Sequence, residues 1–208
     1  MNRTPANTVL PLRSLPRASA AALTAGAVFG VLSPLLEPAD APALHALHLV
    51  LNAGWSWSAL AFCVGLRCPS MLRAAVLAPA SLIAAVIAYY TTKLGQSDFR
   101  AVNILSSTAA WCIAAAFFGP ILGVAGNLAR HQGMRGLPFQ VLIPLAAVVE
   151  TSTRLRVEAS LQGALVGATW NVTRVVAVAV VVVLVGRTVT ARRQRPRTSV
   201  AAGRRIGP

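Results

Sequence analysis

Hydrophobic residues along this chain gather into six long blocks separated by short polar or basic breaks, each long enough for a helix that crosses a bilayer. The blocks predict helices over 18–36, 44–66, 74–92, 102–128, 137–153 and 161–186. Within them the polar positions keep helical spacing. In the second block His45, His48, Asn52 and Ser56 fall at i, i+3, i+7 and i+11, on one face. In the fourth, Asn103, Ser106 and Ser107 share a face in the first two turns. In the sixth, Gly163, Gly167, Trp170, Asn171 and Arg174 fall on one side, and 175–185 then carries no polar residue. The third block ends in Tyr89, Tyr90, Thr91 and Thr92, and the fifth in Glu150, Thr151, Ser152 and Thr153.

The segments outside the blocks divide the chain into three. Residues 1–17 hold Arg3, Arg13 and Arg17 with three prolines and read as a disordered basic arm. Residues 18–186 form the six-helix transmembrane domain. Residues 187–208 read as a disordered arginine-rich tail. The first block could pass for a secretory signal, because Ala39-Asp40-Ala41 resembles a cleavage site. Pro42 opposes cleavage and the block is too long, so a retained helix is expected.

The basic residues set the orientation. With the N-terminus in the cytoplasm, 14 arginines fall inside and four basic residues (Lys93, Arg100, Arg154, Arg156) fall outside. That asymmetry follows the positive-inside rule and favours an even number of crossings with both termini cytoplasmic. The polar positions then crowd the outer half of the bundle. The inner half holds little beyond Ser81, Asn127 and Gln140.

Composition strengthens the membrane reading. Hydrophobic residues make up 56% of the chain and charged residues 12%, against about 25% charged in soluble domains, and the mean hydropathy is +0.66. The net charge of +14 would suggest nucleic acid in a soluble protein. Here it is assigned to topology and to anionic lipids met by the tail, and nucleic acid is excluded because the tail interleaves no aromatic residue.

Candidate chemistry is sparse. Arg174 lies halfway along the sixth block and Glu150 about a turn from the outer end of the fifth, and an intramembrane charge is a site hypothesis by default. Two readings stand: a fixing ion pair between them, or an Arg174 that binds an anionic group and a Glu150 that carries a proton or cation. The candidate ligand-binding set is Glu150, Arg174, Asn171, Trp170, Asn52, His48 and Asn103. His45 and His48 lack the further ligands a metal needs, so no metal and no cofactor is expected. No phosphate-binding glycine loop, Gly-x-Ser-x-Gly or His-Glu-x-x-His run is present, and no enzymatic activity is expected. The pairs Gly26-x3-Gly30, Gly119-x3-Gly123 and Gly163-x3-Gly167 suit close helix packing within the bundle or across a dimer face.

Several strings carry a resemblance: Asn52-Ala53-Gly54-Trp55, Ala88-Tyr89-Tyr90, Trp111, Phe118-Gly119-Pro120-x2-Gly123-x2-Gly126, and Glu150. Together they resemble a family of small bacterial multi-pass membrane proteins of unknown function, across roughly residues 20–185. A looser resemblance is to the substrate-binding membrane subunits of energy-coupling-factor vitamin transporters. It rests on length, helix number and the small-residue spacings Ala18-x3-Ala22 and Ala21-x3-Ala25. The apolar blocks predict an all-α, six-helix protein of the bacterial inner membrane, the glycine pairs leave a homo-oligomer open, and the looser resemblance implies a transporter partner. The expected function is binding or transport of a small solute through a pocket in the outer half. The alternative is a structural or assembly role through helix packing and the basic tail.

Overall fold

A computed structural model describes residues 15–37, 41–96, 101–131, 133–157 and 163–193. Most of the N-terminal arm and the tail beyond residue 193 lie outside these residues. Every regular element described is a helix: α1 (Leu15–Leu36), α2 (Pro42–Leu51), α3 (Gly54–Arg67), α4 (Met71–Gln96), α5 (Ala101–Leu128), α6 (Leu137–Gln140), α7 (Leu142–Val157) and α8 (Ala164–Arg193). Four helices, α1, α4, α5 and α8, are each long and apolar enough to cross a membrane, and α2 with α3 is so as a pair bent by 64°. The described spans therefore number four, or five with the bent pair.

Two expected helices are divided. The block 44–66 breaks at Asn52–Ala53, where Ala53 adopts an extended conformation (φ −73°, ψ 143°). Ser56 Oγ donates back to the Val50 carbonyl oxygen across the break. The block 137–153 divides into α6 and the 16-residue α7. At the other end α8 continues to Arg193 rather than stopping at 186, and α1 begins at Leu15 rather than 18.

Small residues explain how the bundle closes. α4 lies between α1 and α5, and α3 packs against both α4 and α5. A Cβ at Gly26 or Gly30 would run into the carbonyl oxygen of Ser81 or Ala85 on α4, so α1 can approach that closely only through glycine. Gly65 of α3 meets the Gly123 carbonyl, Gly123 meets Ala74 and Ala78 of α4, and Gly126 meets the Phe62 carbonyl. The core between them is mostly alanine: Ala22, Ala61, Ala74, Ala78 and Ala115, with Val64, Cys68 and Leu82. Large side chains point outward, with Leu72 77%, Leu105 73% and Ile113 71% exposed. In water such an arrangement would be unstable; in lipid an exposed leucine loses nothing, and association rests on close van der Waals fit. The first two glycine pairs thus pack within the bundle. Gly163 does not: it precedes α8 at φ +90° with open space beside it, so it marks a turn.

The rest of the protein is a flank in which α7 pairs with α8 and α2 touches α1 and α8. Only 6% of the apolar window of α8 is buried, against 28–33% in α1, α4 and α5. Where Arg67, Arg73 and Arg130 gather, a basic end forms. There Asn127 Nδ2 and Arg130 Nη1 each donate to the Cys68 carbonyl oxygen at 2.6 Å, and Gln140 Nε2 donates to Ala129. Burial pushes the Cys68 thiol above its ordinary range, with Arg73 and Arg130 pulling the other way.

Candidate functional site

The break between α2 and α3 creates the site. A helix that starts in the middle of a bundle exposes N–H groups with no partner of their own. At α3 these are met by Glu150, which projects from α7: Gly54 N–H donates to Oε1 at 2.9 Å and Trp55 N–H to Oε2 at 2.8 Å. The carboxylate thus sits at the positive end of a helix dipole, where negative charge is favoured. A third donor, Arg154 Nε, reaches Oε1 at 2.9 Å from one turn further along α7. The Arg154 guanidinium lies over the Trp170 ring, 4.9 Å from its centroid. Trp170 is fully buried, packed with Ala53, Val166, Leu49, Trp55 and Leu155. One clasp therefore joins α3, α7 and α8.

Beside the clasp lies a groove of about 810 Å³. Its floor and walls come from Trp55, Trp57 and Ser58 of α3, and from Leu82, Val86, Tyr89 and Tyr90 of α4. α5 adds Trp111, Phe118 and Ile121, and α7 adds Ala146, Glu150 and Arg154. Trp57 packs edge-on against Phe29 at 5.3 Å and Tyr89 at 6.0 Å, and Tyr89 against Tyr90 at 5.1 Å, so one wall is a continuous aromatic chain. Trp111 is 60% and Phe118 57% exposed, which puts aromatic surface at the open side between α5 and α7. Trp55 also packs against the Trp170 cluster, and there its indole N–H is buried without a hydrogen-bond partner. Near-neutral charge at the clasp, one carboxylate beside one guanidinium, suits an uncharged or zwitterionic polar group there.

The residues singled out by sequence are partly brought together. Asn52 and Glu150 line the groove. Trp170 lies behind it as the anchor of the clasp. His48 is buried elsewhere, with its Nδ1 2.8 Å from the Ser33 carbonyl oxygen of α1; a carbonyl only accepts, so Nδ1 carries the proton. Asn171 and Arg174 form their own pair on α8, Arg174 Nη2 donating to Asn171 Oδ1 at 3.0 Å. The Arg174–Glu150 pair is therefore corrected: Glu150 is held by Arg154, four residues along its own helix. Asn103 belongs to the first turn of α5, and its side chain lies outside the described residues. Among the described residues no group of three or more His, Cys, Asp or Glu could hold a metal. Trp55, Trp57, Tyr89, Tyr90, Trp111 and Arg154 were absent from the candidate set. A signal for most of them was present in the strings that carry the family resemblance, which converge on this groove from four helices, α3, α4, α5 and α7.

Its apolar spans make the chain a membrane protein by length and composition. More particularly, residues 10–206 match the model of a family of unknown function (DUF6518), and the chain belongs to that family. No curated protein and no solved structure matches it.

Proposed function

We propose that this protein binds a small solute in the aromatic groove, with the ligand's polar group at the clasp and its apolar part toward Trp111 and Phe118. The observation that carries this reading is a groove of about 810 Å³ in which Trp55, Trp57, Tyr89, Tyr90, Trp111 and Phe118 lie beside the polar Glu150 and Arg154. The protein acts by capture or transport, without catalysing a reaction. In this reading the chain crosses the bacterial inner membrane six times. The bent α2–α3 pair counts as one crossing and α6 with α7 as another, and both termini are cytoplasmic, as the arginine distribution favours. The Glu150–Arg154 clasp lies toward the outer face. Partners are a homo-oligomer or a transporter component, and the tail meets anionic lipids.

Native mass spectrometry of the gently purified protein tests the groove. A reproducible extra mass, retained by Arg174→Ala and lost in Trp111→Ala and Tyr90→Phe, is expected. The same adducts in wild type and both groove variants would sink the proposal. One observation favours a second reading, a structural or assembly role: the Gly54 and Trp55 donors join α3 to α7 through Glu150, and Arg154, which donates to Glu150 within α7, carries the contact on to Trp170 of α8. That reading predicts that groove variants keep function while removal of 194–208 abolishes it.

A further inference from the structure

At the end opposite the aromatic groove, a second groove of about 560 Å³ runs between α1, α3 and α4. Its walls are apolar, formed by Ala18, Ala21 and Ala25 of α1 with Leu60 and Cys63 of α3 and Val76 of α4. From Ala18 to Ala25 it extends along α1 by about 10 Å at 1.5 Å per residue. Arg67 and Arg73 line its mouth. Neither guanidinium makes a hydrogen bond or ion pair with any described residue. The described carboxylates cannot supply the missing charge. Glu37 is paired with Lys93 and Glu150 with Arg154, both at the aromatic end. Two cations over an apolar slot, with no counter-charge in the described protein, match a molecule with an anionic head and an apolar chain.

We propose that this groove is a binding site for an anionic phospholipid, its phosphate between Arg67 and Arg73 and one acyl chain along Ala18–Ala25. The site is independent of the solute groove and of the arginine-rich tail. Complementarity chooses this occupant over a packed helix, because a helix would cover the alanines and leave both arginines unmatched.

Cys63 lines the groove and is exposed, whereas Cys112 lies on α5 outside it, so alkylation by N-ethylmaleimide reports occupancy site by site. The full-length protein in detergent is reacted with no addition, with phosphatidylglycerol, with phosphatidylcholine, or with inorganic phosphate. Labelling at each cysteine is read by peptide mass spectrometry. Phosphatidylglycerol at about ten times its dissociation constant is expected to slow Cys63 about tenfold and to leave Cys112 unchanged. Phosphatidylcholine and inorganic phosphate should have little effect. In Arg67→Gln/Arg73→Gln the protection should disappear while thermal unfolding and the Cys112 rate stay as in wild type. Equal protection by phosphatidylcholine would overturn the proposal, as would protection by inorganic phosphate alone, or protection that survives in the double variant. Protection that rises with protein concentration without added lipid would assign the groove to a second copy instead.

Discussion

Around α4, helices meet through their backbones: Gly26 and Gly30 lie on the carbonyls of Ser81 and Ala85, and Gly123 on Ala74. Around α8 they meet through side chains: Glu150 bridges to two N–H groups and to Arg154, and Arg154 lies over Trp170. The body of α1, α3, α4 and α5 is held by dispersion over short distances, which is dense and indifferent to small changes of charge. The flank of α2, α7 and α8 adds, to the apolar cluster around Trp170, a few directional contacts between polar groups. In lipid, where burying apolar area gives no driving force, these are two ways of holding a bundle together. One cannot be loosened without rebuilding the backbone approach. The other can be released by altering one side chain.

Breaking the body should have the largest effect. Gly123→Leu forces a side chain into Ala74 and Ala78, and the loss should exceed about 4 kcal/mol. The expected result is failure to recover a monodisperse protein by size-exclusion chromatography. Next is Trp170→Ala, which empties the fully buried position beneath the clasp and should cost about 3–5 kcal/mol, measured by thermal unfolding in detergent. Glu150→Ala leaves the Gly54 and Trp55 N–H groups without their acceptor, at about 2–3 kcal/mol. Here hydrogen exchange should quicken at residues 54 and 55 while amides in α4 hold their protection. Equal quickening in α4 would mean that body and flank unfold as one unit and would erase the contrast.

Smaller effects sharpen it. Because burial raises the Cys68 thiol, its thiolate is scarcer than an ordinary thiol's at any given pH. Its alkylation should therefore be slow near neutrality and accelerate only at more alkaline pH than for a model thiol, as a rate-against-pH profile would show. Arg174→Gln should change stability by less than about 0.5 kcal/mol, because its recorded partner is the neighbouring Asn171 rather than any element of the clasp. A large loss would place Arg174 in the joint between α7 and α8.

The spans were legible because length and hydropathy are local properties: α1, α4, α5 and α8 all lie where apolar blocks predicted them. The break at Asn52–Ala53 was not, since it contains no proline and its compensating acceptor lies 96 residues away from Gly54. Glu150 stood out as an intramembrane charge, but its partner was sought on another helix when i+4 spacing on its own helix offered Arg154. The groove was the least visible. Polar depth pointed to the outer half, whereas its walls set aromatic residues among aliphatic ones, from helices that are neighbours only in three dimensions.

The bent pair also fixes an order of events during synthesis. α2 and α3, with 10 and 14 residues, are each shorter than the about 20 residues a crossing requires. If the pair makes one crossing, its two helices are expected to enter the bilayer as one segment before Glu150 is synthesised. Until then the carboxylate that receives the Gly54 and Trp55 amides is absent, and a continuous helix is the conformation that satisfies them. A nascent chain stopped before α7 is therefore expected to hold 42–67 straight, and to fold it into its elbow only when the later helix arrives.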